Sequence, residues 1–355
     1  MAQTSPLLVT GGAGFIGSCF VPFMIGRGHA LVTLDALTYA GFRHNLAAVM
    51  TAPGHVFVEG DICDGDLVAD LLRRHRPHAV VNIAAETHVD RSIDGPAAFV
   101  RTNILGTATL LEECRRHWRD LPSAERGAFR FLQVSTDEVY GSVAQGQSSE
   151  GAPYSPTSPY AASKASADFM VRSYFRTYGL PTLVTHGTNT FGPRQFPEKL
   201  IPLMILNALD GQPLPVYGDG GNQREWLYVQ DHCAAIAEIL DKGRAGESYN
   251  IGSGRHLANL EVVRTLCALL DDLAPRPDRR RHSEAITHVT DRPGHDFRYA
   301  VDCAKLGVET GWSPMTDVAE GLRTTVRWYL DNEAWCRSIT QSGYRRDRLG
   351  LASHA

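Results

Sequence analysis

The chain has 355 residues, with 35 Lys plus Arg against 39 Asp plus Glu and a formal net charge of −4. That balance excludes a protein built chiefly to grip nucleic acid or an anionic membrane, but not a local basic pocket for a phosphate-bearing small molecule. A hydrophobic content of 43% with 21% charged residues excludes global disorder and leaves room for two lobes around a substantial core. The seven cysteines contain no C-x-x-C pair, so neither a disulfide framework nor a zinc ribbon is expected, and no metal site is proposed. The first six residues lack a charged n-region and a cleavage site, so no signal peptide is expected. No apolar run reaches the ~18 residues of a membrane span. A cytoplasmic setting is the expectation.

In chain order, short apolar runs at 7–10, 30–34, 55–59, 79–83 and 130–135 read as strands. Between them, 15–26, 65–74 and 102–117 read as helices. A further helix is expected at 158–178 and a strand at 182–186. This alternation predicts an α/β fold, a doubly wound parallel sheet with helices on both faces. After Gly192 the rhythm loosens into Pro and Gly clusters, which predicts a smaller mixed lobe that sets substrate choice. Helices near 231–241 and 260–270 are expected to serve both lobes, and 275–282 reads as a solvated loop.

Between the first strand and first helix, Gly11-Gly12-Ala13-Gly14-Phe15-Ile16-Gly17 spaces three glycines as G-x-x-G-x-x-G. Gly11 permits the tight turn, Gly14 lets backbone approach a pyrophosphate, and Gly17 allows close helix–strand packing. Phe15, Ile16 and Ala84 are counted with this site. Asp35 ends the next strand, where a carboxylate can accept from an adenosine ribose and repel a 2′-phosphate, so NAD is favoured over NADP. Asp61 and Ile62 are placed at the adenine side, with a helix N-cap as the equal alternative for Asp61.

Tyr160 and Lys164 stand at i and i+4 on the 158–178 helix, so both project from one face. A nearby ammonium, with the positive nicotinamide, would lower the phenol pKa until Tyr160 can take a hydroxyl proton. At the end of an apolar strand stand Thr136, Asp137 and Glu138. The Thr136 hydroxyl can hydrogen-bond the reacting sugar oxygen. Two adjacent acids point to proton removal and proton delivery on one substrate, against the plainer reading of acids decorating a helix N-terminus.

These motifs, with the run Ala84-Ala85-Glu86-Thr87-His88-Val89-Asp90-Arg91-Ser92 and Phe196-Pro197-Glu198-Lys199-Leu200, Arg224-Glu225-Trp226 and Arg292-Pro293-Gly294-His295-Asp296, closely resemble the nucleotide-sugar 4,6-dehydratases of the extended short-chain dehydrogenase/reductase family, those acting on dTDP-glucose above all. The resemblance runs from Leu7 to about Leu330. It implies an NAD-dependent lyase: Tyr160 takes the C4 hydroxyl proton as hydride passes to NAD⁺, Glu138 takes the C5 proton, Asp137 protonates the C6 hydroxyl, and the hydride returns to C6. It also assigns His88, Asn189, Lys199, Leu200, Arg224, Arg292, His295 and the neighbourhood of Asn259 to the substrate side, with Lys164 on the nicotinamide ribose. Residues 1–185 would form the NAD-binding Rossmann-type domain, 186–340 mainly the nucleotide-sugar lobe, and 341–355 a flexible tail. A homodimer built on the 102–117 and 158–178 helices is implied. The nearest rival is a 4-epimerase or decarboxylase, or a dehydratase acting on a UDP- or N-acetylated sugar; a non-catalytic NAD-binding regulator is more remote. Departures from the family pattern at His186, Thr190, Arg194, Gln223 and Phe297 are expected to bear on the base and sugar.

Overall fold

The computed structural model describes residues 5–292, 294–341 and 346. Its main sheet joins seven strands: β1 (Leu7–Thr10), β2 (Leu31–Asp35), β3 (His55–Glu59), β4 (Ala79–Asn82), β5 (Arg130–Thr136), β6 (Thr182–Gly187) and, from far along the chain, Ser248–Ile251. The order is Ser248–Ile251, β6, β5, β4, β1, β2, β3, with every neighbouring pair parallel. Such strands are covered on both faces, which is why they read as unbroken apolar runs. The strand order reverses between β1 and β4, and a ligand crevice opens at the carboxyl ends of strands at that point. Beneath it a buried polar ladder ties the sheet. Thr10 donates to Asn82 at 2.6 Å, and Asn82 donates to Gln133 at 2.8 Å.

One face packs the helices Phe15–Gly26 and Val229–Lys242 over Val9, Phe20, Leu132 and Ile236. The other packs Gly65–His75, Thr107–Asp120 and Pro159–Tyr178 over Leu8, Val80, Leu110 and Phe131. Both the Ser248–Ile251 strand and the Val229–Lys242 helix therefore build on the main sheet although they lie past residue 186. A second core, around Phe191, Met204, Trp226, Leu266 and Leu322, belongs to the helices Leu200–Leu209, Asn259–Leu273 and Val318–Asp331.

The helix expected at 102–117 differs in form. Val100–Gly106 is a π-helical segment that passes into an α-helix at Thr107–Asp120. The segment holds Asn103, 2% exposed, which donates to the Glu86 carbonyl at 3.0 Å and to Ser163 at 2.8 Å, and accepts from the Glu86 amide at 2.9 Å. π turns cluster at functional sites for such reasons. Here one side chain clamps the loop after β4 to the helix that carries Tyr160. Among the described residues, no helix is long and apolar enough to cross a membrane, and no His, Cys, Asp and Glu cluster could hold a metal. The expected flexible tail lies outside the described residues, apart from Gln341 and Arg346.

Candidate active site

The glycine loop is shaped by close backbone approach. Gly11 has φ +69°, and a Cβ there would stand 2.5 Å from the Ala84 amide nitrogen. A Cβ at Gly17 would meet the Gly11 carbonyl oxygen at 2.2 Å, so the helix can seat on the loop only without a side chain. Gly14 is the N-cap of Phe15–Gly26 and makes no side-chain cap bond, so the first-turn amides are offered to an anion. Asp35 accepts from the amides of Ala13 and Leu37, both at 2.8 Å, and burial raises its pKa. Its carboxylate thus braces the loop as well as facing the cleft. Asp61 is not the N-cap of the following helix. Asp64 holds that position, accepting from the Leu67 amide, while Asp61 accepts from the Cys63 amide and from Arg101. Phe15, Ile16, Ile62 and Ala84 line the same cleft, which encloses about 1520 Å³ of space out to solvent.

At the other end of this cleft stand Thr136, Asp137, Glu138 and Tyr160. Ser158 caps the Tyr160 helix by accepting from the Ala161 amide at 3.1 Å, Pro159 takes the first position, and Gly179 closes it at φ +73°. Thr136 ends β5 and caps the short 3₁₀ turn Asp137–Tyr140, accepting from the Glu138 amide at 3.3 Å. The two acids do sit at a helix N-terminus, but Asp137 is 3% exposed and both face the cleft, so dipole decoration is not their only setting.

The electrostatics correct one expectation. Tyr160 is pushed up rather than down, chiefly by burial and then by the Glu138 charge. Lys164 does not relieve it. Its ammonium is 3% exposed, donates to the Val134 carbonyl at 2.7 Å and does not line the cleft. Burial lowers Lys164 to about 8, against the pull of Asp168 one turn on. Asp137 is raised well above the ordinary carboxyl range, by burial, Glu138 and Glu225. Glu138 is raised by burial and held back by Arg292, Lys199 and Arg224. Both carboxyls are thus raised by burial, with neighbouring carboxylates adding to the rise at Asp137 and three cations opposing it at Glu138.

The residues expected on the substrate side divide. Asn189, with a buried Oδ1 that has no partner among the described residues, and Lys199, which donates to the Thr87 carbonyl at 2.7 Å, line the cleft. Leu200 opens a helix of the second core. His88 is a satisfied N-cap that accepts from the Arg91 amide at 3.3 Å, its pKa lowered to about 2 by burial and then by the Lys199 charge. Arg224 donates to the carbonyls of Gln223, Asp296 and Phe297 and lies 4.5 Å over the Tyr299 ring. Arg292 donates to Asp90 at 3.2 Å, and His295 pairs with Asp291 at 2.6 Å. The Asn259 amide donates to the Asn222 carbonyl at 3.0 Å. The two arginines are charges near Glu138 rather than walls of the cleft.

Of the five departures, only Thr190 lines the cleft, where its hydroxyl meets His232 at 2.8 Å. His186 does not. It is fully buried on β6 between Tyr154 at 2.7 Å and Tyr140 at 3.0 Å, beside Asp168. Arg194 sits 5.9 Å over the Trp328 ring, and Phe297 is exposed. A cluster not assigned from the sequence stands at the cleft, which Glu198 lines. Glu198 accepts from Tyr39 at 2.8 Å and from Arg91 at 3.0 Å, and Arg91 lies 4.0 Å over the Tyr39 ring. Arg91 and Glu198 stand in the runs that carried the resemblance, but nothing in the sequence spacing joins them to each other or to Tyr39.

Residues 8–325 match the family described as GDP-mannose 4,6 dehydratase. A dTDP-glucose 4,6-dehydratase of Xanthomonas campestris pv. campestris is 54% identical over 344 residues, 97% of this chain and 98% of that one. The dTDP-glucose 4,6-dehydratase 1 of Escherichia coli K12 is 49% identical, covering 96% of both chains. Among solved structures, DesIV of Streptomyces venezuelae, a dTDP-glucose 4,6-dehydratase with NAD and TYD bound, superposes with a TM-score of 0.86 at 47% identity, over 94% of this chain and 99% of that one. A Thermotoga maritima UDP-glucose 4-epimerase superposes at 0.81 with 29% identity, over 92% of this chain and 99% of that one.

Proposed function

The chain belongs to the GDP-mannose 4,6 dehydratase family, and from that membership we propose that it is an NAD-dependent hydro-lyase that converts dTDP-glucose to the 4-keto-6-deoxy nucleotide sugar. The observation that carries the reading is the adjacent pair Asp137 and Glu138 turned into one cleft beside Tyr160. A 4-epimerase needs the 4-keto step but has no use for a second acid next to a base. The names of the relatives support the substrate.

The glycine loop, the open first-turn amides and Asp35 fit a dinucleotide. NAD, when bound, supplies an acceptor for the electron pair at C4, a donor for it at C6, and a positive ring to offset the high pKa of the Tyr160 phenol. Tyr160 takes the C4 hydroxyl proton. The resulting ketone acidifies C5, and Glu138, with Arg292, Lys199 and Arg224 favouring its ionised form, removes that proton. Asp137, its pKa raised by burial beside Glu138 and Glu225, gives its proton to the C6 hydroxyl, which leaves as water. Glu138 then returns a proton to C5. Lys199 and Asn189 face the nucleotide diphosphate across the cleft.

Exposed Val100, Leu105 and Phe169 on neighbouring helical segments support pairing of two copies through this face. The absence of paired cysteine spacing supports a cytoplasmic setting. Purified protein given dTDP-glucose is expected to yield a product lighter by one water, without net NADH. Tyr160→Phe stops oxidation. Glu138→Gln permits it and slows solvent exchange at C5 by roughly 10²–10⁴-fold. Steady NADH release, or a C4 epimer as the product, refutes the reading.

A further inference from the structure

Residues 36–42 form the loop between β2 and the 3₁₀ turn Arg43–Leu46, and Ala36, Thr38, Ala40 and Gly41 line the cleft. Both ends of this loop are fixed on one residue of the glycine loop. The Asp35 carboxylate accepts from the Ala13 amide at 2.8 Å. The Ala13 carbonyl accepts from the Phe42 amide at 3.2 Å and from the Asn45 side chain at 2.8 Å. Between those ends, among the described residues, the backbone amides bond only within the loop and to Asp35: Gly41 donates to the Thr38 carbonyl at 3.1 Å and Leu37 to Asp35 at 2.8 Å. Leu37 has φ +49°, which side chains rarely adopt, so contacts rather than backbone preference hold the loop in shape.

Tyr39 supplies the contact at the middle of the loop. It does not line the cleft; its hydroxyl donates to Glu198 Oε1 at 2.8 Å, and its ring stands edge-on to Phe196 at 5.4 Å. Glu198 is a fixed post. Its other oxygen accepts from Arg91 Nε at 3.0 Å, and the next residue, Lys199, donates to the Thr87 carbonyl at 2.7 Å. The helix Val89–Asp94 that carries Arg91 is itself tied to the Tyr160 helix, where the Tyr160 amide donates to Ser92 Oγ at 3.2 Å. The Glu198 side chain is 1% exposed and lines the cleft, while Arg91, 32% exposed, lies 4.0 Å over the Tyr39 ring. A hydrogen bond to a carboxylate so shielded from water is a strong one. One bond therefore joins a loop anchored only at its ends to a rigid post across the same cleft.

Resting on the dehydratase reading, we propose that Tyr39 and Glu198 form a latch, and that the 36–42 loop is the gate NAD passes on entering and leaving. In that reaction the electron pair taken at C4 is given back at C6, so the dinucleotide has no cause to leave between turnovers. A wall that opens rarely suits this chemistry. The Tyr39–Glu198 bond contains no cofactor atom. Weakening it lowers the barrier to passage in both directions and leaves the affinity little changed.

The test measures cofactor exchange. Holoenzyme carrying labelled NAD is chased with excess unlabelled NAD, and rebinding to stripped enzyme is followed by tryptophan fluorescence. Tyr39→Phe keeps the ring and loses only the hydroxyl. It is expected to release NAD roughly 10–100-fold faster, the effect of one hydrogen bond to a charged group. It should also bind NAD faster by a similar factor, so that Kd moves less than either rate. Glu198→Gln, which removes the charge and keeps the shape, should change both rates in the same direction. Diluted into buffer without NAD, Tyr39→Phe should lose turnover of dTDP-glucose as the label departs and regain it on addition of NAD, while the wild type holds its activity. Release from Tyr39→Phe at the wild-type rate overturns the latch. So does faster release with association unchanged or slowed, which marks lost affinity rather than an opened gate. A wild type that binds NAD yet leaves dTDP-glucose intact refutes the functional reading instead, so the two failures are distinct.

Discussion

Replacing Gly17 by Ala adds one methyl group where the backbone has left no room. The new Cβ would stand 2.2 Å from the Gly11 carbonyl oxygen and 2.5 Å from the Gly12 Cα. Both are backbone atoms and cannot rotate away. Gly11 cannot retreat either, since its own Cβ position lies 2.5 Å from the Ala84 nitrogen. Ordinary contact begins near ~3.5 Å, so the helix Phe15–Gly26 must back off by about 1.3 Å at its first turn. Overpacking of this kind costs about 1–3 kcal/mol of stability. It also draws the first-turn amides away from an anion, and a lost charge-assisted hydrogen bond is worth about 1.5–3 kcal/mol, or roughly 10–100-fold in affinity. Gly17→Ala is therefore expected to melt several degrees lower and to bind NAD about 10–100-fold more weakly by titration calorimetry on cofactor-stripped enzyme. Gly14→Ala is the contrast. Its Cβ would meet only the Gly11 oxygen, at 3.4 Å, so its melting point should stay near the wild type while NAD affinity falls through lost backbone approach. Wild-type melting and affinity in Gly17→Ala would refute the packing argument.

Two further outcomes follow from burial. Lys164 is lowered from the ordinary lysine value of 10.5 to about 8, so between those pH values the unfolded chain holds a proton that the native chain has released. Its contribution to stability therefore rises with pH across that window. Melting temperature measured against pH should carry this rise in the wild type, and Lys164→Met should lack it; identical pH dependence in the two would contradict the burial argument. His186→Asn removes partners of two tyrosine hydroxyls in a closed interior. It should cost about 1–3 kcal/mol in denaturant unfolding yet leave the preference among nucleotide sugars unchanged, and a shift in that preference would place His186 functionally in the cleft.

The local devices were legible because each is written within a few neighbouring residues. Gly11, Gly14 and Gly17 between an apolar strand and a helix specify a phosphate-binding turn, and Ser158-Pro159 followed by Gly179 brackets the helix that carries Tyr160 and Lys164. Thr136, Asp137 and Glu138 follow the last apolar residues of β5, where a parallel sheet delivers side chains to its crevice. The roles of Lys164, Arg224 and His186 were not legible, since each depends on which distant group takes its hydrogen bonds. Lys164 is claimed by Val134, 30 residues away, and Arg224 by the carbonyls of Asp296 and Phe297, more than 70 residues on.

By itself the sequence determined a parallel α/β sheet, a dinucleotide loop and the paired acids beside a Tyr-Lys helix, because short-range spacing dictates which side chains share a face. Only the tertiary structure decided that the Ser248–Ile251 strand completes the main sheet, that Tyr39, Arg91 and Glu198 meet, and that Asp137 and Glu138 face different neighbouring charges. Neighbouring carboxyls of nearly equal intrinsic strength are set in different fields by what folds against them. Glu225 comes to Asp137 from another strand, and Arg292, Lys199 and Arg224 come to Glu138 from segments far along the chain.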